Sequence, residues 1–109
     1  MTIRLPPTIV RGMQRKAPLE KHIVARVMAQ GRALGYWVTK YHGNAFTMSG
    51  VPDVLAIKDG RACWLECKRP GEKPTPIQML RMKELQAAGC PVAVVTSADE
   101  ARAFLEGIA

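Results

Sequence analysis

Apolar residues near the start of the chain recur at the spacing of an α-helix. They are Leu19, Ile23, Val24, Val27, Met28 and Leu34. This pattern predicts a first helix over residues 18 to 34, with Pro18 in its first turn and Gly35 at its end. At 100° per residue, Glu20 points with the apolar side chains. A carboxylate there is costly unless it is paired or binds a cation, although a residue in the first turn can also turn outward to water.

Shorter runs predict strands. The first covers Tyr36 to His42, which is rich in aromatic and β-branched residues, and a polar loop over residues 43 to 50 follows it. Two apolar runs, Asp53 to Ile57 and Ala62 to Lys68, are separated by four residues with Asp-Gly at their centre. Asp-Gly between such runs predicts a hairpin with a two-residue turn.

The rest of the chain predicts a helix, a strand and a final helix. A capping box at Thr75 opens a helix that ends at Gly89, and a second box at Ser97 opens one that runs through about Glu106. Val92 to Thr96 is typical of a short buried strand between them. The predicted order is therefore α-β-β-β-α-β-α.

Length and composition predict one folded domain. The chain has 109 residues with 48% hydrophobic residues, which is enough for a core without disulfides. Three cysteines without a C-x-x-C pair exclude a disulfide framework and a zinc ribbon, and favour a reducing cytoplasm. No signal peptide or apolar stretch of membrane-spanning length occurs, so we expect neither secretion nor insertion in a membrane.

The positive charge is concentrated in the first part of the chain. The net charge is +7, and residues 1 to 46 contain eight basic residues and one acid. We expect residues 1 to 17 to form a basic arm and residues 18 to 109 the folded domain. A nucleic acid would be an obvious partner, but a solvated basic face is an equal alternative on charge alone.

The hairpin places charged side chains together. If Asp59 and Gly60 form the turn, opposed residue numbers sum to 119, and Asp53 lies opposite Glu66. Lys68 projects from the same face, which is otherwise apolar, with Leu55, Ile57, Ala62 and Trp64. A divalent cation would relieve the repulsion between the two carboxylates. Alternatively, Asp53 is a loop residue, and Glu66 and Lys68 form an ordinary ion pair.

Three short motifs follow one another from the hairpin to the next helix. The first is Gly50-Val51-Pro52-Asp53, and the second, Glu66-Cys67-Lys68, begins thirteen positions after Asp53. The third is Pro76-Ile77-Gln78, at the start of a predicted helix. Over residues 18 to 106 the chain resembles the PD-(D/E)xK nuclease superfamily, and most of all its VRR-NUC branch. The resemblance implies an α/β fold with a restriction-endonuclease-like core, in which helices flank a central mixed sheet.

The resemblance also implies roles for individual residues. Asp53 and Glu66 would bind Mg²⁺ or Mn²⁺, with the backbone carbonyl of Cys67 as a third ligand and Glu20 as the acid of the first helix. Cys67 stands where an aliphatic residue is more usual, but only its backbone is needed. Lys68 would orient or activate the attacking water.

Further residues are candidates for catalysis or DNA binding. Gln78 matches the helix glutamine that the family places near its site, although a plain capping role fits the sequence equally well. DNA contacts are expected from the arm and from positions near the site, namely Arg11, Arg15, Lys16, His42 and Arg69.

These observations predict a metal-dependent DNA endonuclease. The resemblance implies a phage or bacterial enzyme that cuts branched DNA such as four-way (Holliday) junctions, and symmetric cuts would suit a homodimer in the cytoplasm of a bacterial or phage-infected cell. Two alternatives stay open: a non-catalytic nucleic-acid-binding protein on the same fold, and a nicking or restriction-type nuclease that a partner protein directs.

Overall fold

A four-stranded mixed sheet forms the centre of the chain in the computed structural model, which describes residues 18–108. Strands β1 (Trp37–Lys40), β2 (Val54–Lys58) and β3 (Arg61–Cys67) form an antiparallel meander. Strand β4 (Val92–Val95) pairs in parallel with β3, so the strand order is β1-β2-β3-β4. The predicted mixed sheet is confirmed. The predicted basic arm, residues 1 to 17, lies outside the described residues.

Within residues 18–108, three helices accompany the sheet in the predicted order. Helices α1 (Glu20–Ala33) and α3 (Ala98–Ile108) pack against each other, while α2 (Pro76–Ala87) connects β3 to β4 and lies beside β4. Helix α1 starts later than predicted, so Pro18 precedes its first turn. None of the described helices has the combination of length and apolar character that crossing a bilayer requires.

The turn of the β2–β3 hairpin sets the register of the strands. Asp59 has φ of 53° and Gly60 has φ of 77°, so both are left-handed, as a two-residue type I′ turn requires. Lys58 pairs with Arg61, and Val54 pairs with Leu65. The predicted register is confirmed, and it places Asp53 opposite Glu66 just beyond the end of β2.

The two faces of the sheet are covered unequally. Helices α1 and α3 cover one face, and the buried core there consists of Ile23, Val24, Val27, Tyr36, Val38, Val54, Ala56, Cys63, Leu65, Cys67, Val95, Ala101 and Leu105. The opposite face carries the predicted apolar set, Leu55, Ile57, Ala62 and Trp64, all of which are only half-buried. The two carboxylates therefore lie at one end of the less covered face.

The predicted helix caps are present with one difference. Thr75 Oγ1 accepts from the Gln78 amide at 3.3 Å, and Gln78 Oε1 accepts from the Thr75 amide at 2.9 Å, which completes the first capping box. Ser97 Oγ accepts from the Glu100 amide at 3.1 Å, but the Glu100 carboxylate accepts from the backbone and hydroxyl of Thr96. The second box is therefore only half of the predicted one.

Candidate active site

Asp53 is held in place from both sides by the backbone. Its side-chain Oδ2 accepts a hydrogen bond from the Cys67 amide at 2.8 Å. Its carbonyl oxygen accepts one from the Tyr41 amide at 2.8 Å. Asp53 thus links the ends of β1 and β3, and its carboxylate has a defined position at the open end of the hairpin.

The segment before Asp53 requires its glycine. Gly50 has φ of +81°, and a Cβ atom at this position would lie 2.8 Å from the carbonyl oxygen of Ile77. The backbone therefore passes against the first turn of α2 at a distance that a larger residue would not allow. Pro52, which follows, is fully buried. The Gly50–Pro52 segment fixes where Asp53 enters the sheet.

Glu66 is a buried carboxylate without donors. It is 1% exposed, and neither of its oxygens has a hydrogen-bond partner among residues 18–108. Lys68 Nζ lies 3.7 Å from Glu66 Oε2, which is a charge contact rather than a short hydrogen bond. Burial, and after it the negative charge of Asp53, raises the pKa of Glu66 to about 8, and the positive charge of Lys68 opposes this shift.

Glu20 belongs to the same electrostatic neighbourhood. It is the first residue of α1 and is half-buried. Partial burial raises its pKa, Lys68 lowers that pKa, and the charge of Asp53 raises it. In the described part of the chain, no three side chains of His, Cys, Asp and Glu are grouped as a ready-made metal cage. The role of Glu20 as a direct ligand therefore stays a prediction.

The Cys67 side chain belongs to the core. It is fully buried, and burial, followed by the charge of Asp53, raises the pKa of its thiol to about 12. A thiol that stays protonated at neutral pH is a poor ligand for a hard cation. The backbone of Cys67 is the part that meets the site, because its amide holds Asp53. Its carbonyl as a ligand stays a prediction.

Two cationic side chains follow β3. Lys68 is 9% exposed, and its amide donates to the Val95 carbonyl at 3.0 Å, which fixes its backbone against β4. The Arg69 amide donates to Glu72 Oε1 at 3.0 Å. Arg69 Nε is buried and has no hydrogen-bond partner within residues 18–108. The charge of Arg69 lowers the pKa of Glu20, and a guanidinium donor without a partner in this part of the chain is suited to a phosphate oxygen.

The other candidate residues are placed less decisively. Gln78 forms two hydrogen bonds with Thr75, which show its capping role, and its part in catalysis stays a prediction. His42 is exposed where the β1–β2 loop begins. Residues Arg11, Arg15 and Lys16 lie outside the described part of the chain.

Two residues near the site were not predicted. The Tyr41 amide holds Asp53, and the Tyr41 ring packs edge-on against Trp64, with ring centroids 6.1 Å apart at 78°. Paired residue numbers of β1 and β2 sum to 94, so extending this register would have placed Tyr41 opposite Asp53. Glu72 raises the pKa of Glu20 and binds the Arg69 amide, but no motif in the sequence indicates it.

The arrangement fits a hard divalent cation. Two carboxylates approach each other at the end of the hairpin, and the buried one lacks any donor among the described residues. Mg²⁺ binds through one or two carboxylates and keeps water or phosphate oxygens as its other ligands, so a complete protein cage is not required. The orphaned oxygens of Glu66 are the observation that supports this fit.

Comparisons with known proteins agree with the geometry. The chain is 38% identical over 86 residues to "Putative nuclease p44" of Acyrthosiphon pisum secondary endosymbiont phage 1, with 78% of this chain and 86% of that protein covered. A solved "VRR_NUC domain" structure has a TM-score of 0.68 and 26% identity, and the match covers 80% of this chain and 94% of that one. A solved "VRR_NUC domain protein" has the same TM-score at 20% identity and shares the fold, over 84% of this chain and 88% of that one. No family model matches the chain.

Proposed function

This chain belongs to the VRR-NUC family of nucleases, and we propose that it is a DNA endonuclease that depends on Mg²⁺ or Mn²⁺. The observation that carries this proposal is the buried carboxylate of Glu66, which lies opposite Asp53 and accepts no hydrogen bond from residues 18–108. A carboxylate without donors is costly in a protein interior. Such a cost is typical of a site whose natural partner is a bound cation.

The proposed metal ligands are all oxygen atoms of this chain. Asp53 and Glu66 would hold the metal, with the carbonyl of Cys67 and the carboxylate of Glu20 as further ligands. When bound, a divalent ion would neutralise charge on the phosphoryl oxygens and lower the pKa of water. The hydrogen bond from the Cys67 amide keeps Asp53 Oδ2 fixed, so that its other oxygen can face the ion.

Lys68 is proposed to act on the attacking water. Its ammonium group lies next to Glu66, with only 11% of its side chain exposed. An ammonium held in this position contributes positive charge beside the scissile phosphate and can guide the orientation and the proton of the water. Hydrogen bonding of its amide to β4 holds the residue in place for that role.

Phosphate contacts are proposed on the basic side chains around the site. Arg69 supplies a buried donor without a partner in the described chain, and His42 is exposed at the start of the neighbouring loop. The arm residues Arg11, Arg15 and Lys16 would add contacts farther along the DNA. Replacing these three with alanine should reduce the slope of log K against log salt by roughly 0.9 for each lost contact.

We further propose branched DNA as the substrate and a homodimer as the active form. Two symmetric cuts across a junction would suit a dimer with two-fold symmetry. Helix α2 exposes apolar side chains suited to an interface between copies: Ile77 is 39% exposed, and Met79 and Leu80 are each 47% exposed. The compartment proposed is the cytoplasm of a bacterium or phage-infected cell, because the relative is a phage protein.

One assay tests the reaction, the metal and the substrate together. A labelled four-way junction, a duplex and a single strand of matched sequence are incubated with Mg²⁺, Mn²⁺ or EDTA. We expect cleavage of the junction with either metal and none with EDTA. Cleavage by pure protein in EDTA would exclude the metal mechanism, and equal cleavage of all three DNAs would exclude selectivity for branches. Light scattering of the same sample gives the mass and tests the homodimer.

A further inference from the structure

The loop between β1 and β2 presents an aromatic side chain to solvent. Phe46 is 96% exposed, and Met48 nearby is 58% exposed. Single exposed apolar residues are ordinary, but a phenylalanine with almost none of its surface covered is unusual in a domain whose other phenylalanine, Phe104, is partly buried against the core. The exposure therefore calls for a partner that the described chain does not contain.

The tip of this loop is a built turn. The Phe46 amide donates to Asn44 Oδ1 at 2.8 Å, and the Asn44 amide donates to Thr47 Oγ1 at 2.8 Å. The Thr47 amide also donates to the Asn44 carbonyl at 3.1 Å. Because these bonds hold the backbone on both sides of Phe46, the loop does not have to be ordered on binding, which reduces the entropy cost.

The same loop forms a wall of the cleft that contains Asp53. A cavity of about 340 Å³ is lined by this loop, including Thr47 and Met48, together with Tyr41 and Asp53. On its other side, the loop is fastened to α2, because Arg81 Nε donates to the Ser49 carbonyl at 2.9 Å. Phe46 lies in the chain between Asn44 and Thr47, which both line this cavity, so the loop that carries Phe46 borders the cleft that contains Asp53.

The charge around the loop favours a polyanion. No aspartate or glutamate occurs from Lys21 to Pro52, and the loop from Gly43 to Gly50 has no charged residue. Lys40 and His42, which precede the loop, are both exposed. An uncharged apolar tip that follows basic side chains is suited to the bases of a nucleic acid, while the basic residues are suited to its phosphates.

We propose that Phe46, supported by Met48, stacks on a base beside the scissile phosphate where the stacking of the DNA is interrupted, as at a branch or gap. The inference rests on the proposed nuclease function and deepens it, because it names the structural feature of the substrate that the site selects. In an intact duplex both faces of a base are already stacked, so Phe46 gains nothing there. At an interruption one face is free, and the ring replaces the missing neighbour.

Binding measurements in EDTA, where no cleavage is expected, test the stacking. The ligands are a duplex with a one-nucleotide gap and the intact duplex of the same sequence. We expect Phe46→Ala to bind the gapped DNA roughly 5- to 150-fold more weakly, to bind intact duplex normally, and to keep the wild-type salt slope, since no charge is lost. Phe46→Trp should retain the preference. Trp37→Ala, which removes a 61% exposed aromatic side chain at the far end of β1, is the matched control and should bind like wild type.

The outcomes separate the two proposals. If wild type cleaves no DNA with Mg²⁺ or Mn²⁺, the proposed function fails, and this inference fails with it. If wild type cleaves, but Phe46→Ala keeps the full preference for gapped DNA, only the stacking proposal is overturned. If Phe46→Ala changes the mass of the protein in solution and leaves DNA binding intact, Phe46 contacts a second copy instead. Thermal melts of all variants show that each is folded.

Discussion

The two ends of the β2–β3 hairpin both place like charges opposite each other. At the turn, Lys58 pairs with Arg61, and at the open end Asp53 lies opposite Glu66. Like charges directly opposed across two strands destabilise a sheet. The chain accommodates this repulsion in different ways at its two ends, and the difference separates a structural pair from a functional one.

At the turn, the fold itself supplies partners. Lys58 Nζ donates to the Leu34 carbonyl at the end of α1 at 2.9 Å and lies 5.4 Å from the centre of the Tyr36 ring, while Arg61 is exposed to water. At the open end, Glu66 is buried, and its oxygens find no donor in the described chain. Lys58 at the turn fastens a helix to the sheet, whereas Glu66 at the open end accepts no hydrogen bond within the described residues and is left for a ligand.

Among variants that still bind metal, the largest expected effect comes from removing the lysine at the open end. Lys68→Ala leaves both carboxylates in place, so metal should still bind, but cleavage should slow by roughly 10²-fold or more, as for the loss of a positioned acid–base group. Single-turnover cleavage at saturating Mg²⁺ measures the step. Lys58→Ala, at the turn, is the matched control and should cleave at the wild-type rate per folded molecule. Near-normal turnover of Lys68→Ala would remove this residue from the mechanism.

Asp53→Asn should uncouple stability from metal binding. The asparagine Oδ1 can still accept from the Cys67 amide, while the charge that repels Glu66 is lost. The variant should therefore be at least as stable as wild type in EDTA, and it should lose both cleavage and the stabilisation that Mn²⁺ gives the folded protein. Thermal melts of both proteins with and without Mn²⁺ decide this. A variant that melts earlier in EDTA would show that Asp53 is structural.

The stability of the metal-free protein should depend on pH through Glu66. Its pKa in the fold lies above the ordinary value of 4.5, so the folded state binds more protons than the unfolded chain between that value and about 8. The free energy of unfolding should therefore decrease as pH rises through this window. Urea titrations in EDTA at several pH values measure this free energy. Glu66→Gln should remove the part of its pH dependence that comes from Glu66. An equal pH dependence of the free energy of unfolding in wild type and Glu66→Gln would contradict its assignment to Glu66.

The smallest effect is expected at the turn. Lys58→Ala should lower the free energy of unfolding by about 1–2 kcal/mol, because it removes a hydrogen bond to a helix end and a cation–π contact. Urea unfolding at neutral pH measures the change. Lys83→Ala on the exposed side of α2 serves as a control with almost no expected effect. If Lys58→Ala were stabilising, relief of repulsion from Arg61 would dominate, and the two ends of the hairpin would be alike.

Local rules predicted much of the fold and part of the site. The Asp59–Gly60 turn set the register of β2 and β3, because only left-handed residues fit that turn. The same register placed Asp53 opposite Glu66, and the helical wheel placed Glu20 with the apolar face of α1. The capping box at Thr75 marked the start of α2 because its two hydrogen bonds involve only neighbouring residues.

Features that depend on distant contacts were not predictable. Both faces of the hairpin are apolar, so alternation could not indicate that α1 and α3 bury Ala56 and Leu65 rather than Leu55 and Trp64. The contact of Tyr41 with Asp53 depends on the length of the loop between them, and the contact of Glu72 with Arg69 depends on a turn after β3. From its residue type alone, Phe46 would ordinarily be assigned to the core.

The sequence by itself determined the order of elements, the register of the hairpin and the chemical types at its open end, because turns, caps and strand alternation act between residues close in the chain. Only the tertiary structure decided which carboxylate is buried without a donor, which lysine is satisfied by a helix end and which aromatic ring reaches solvent. Those outcomes depend on how helices cover the sheet, and burial is a property of the whole packing rather than of any local pattern.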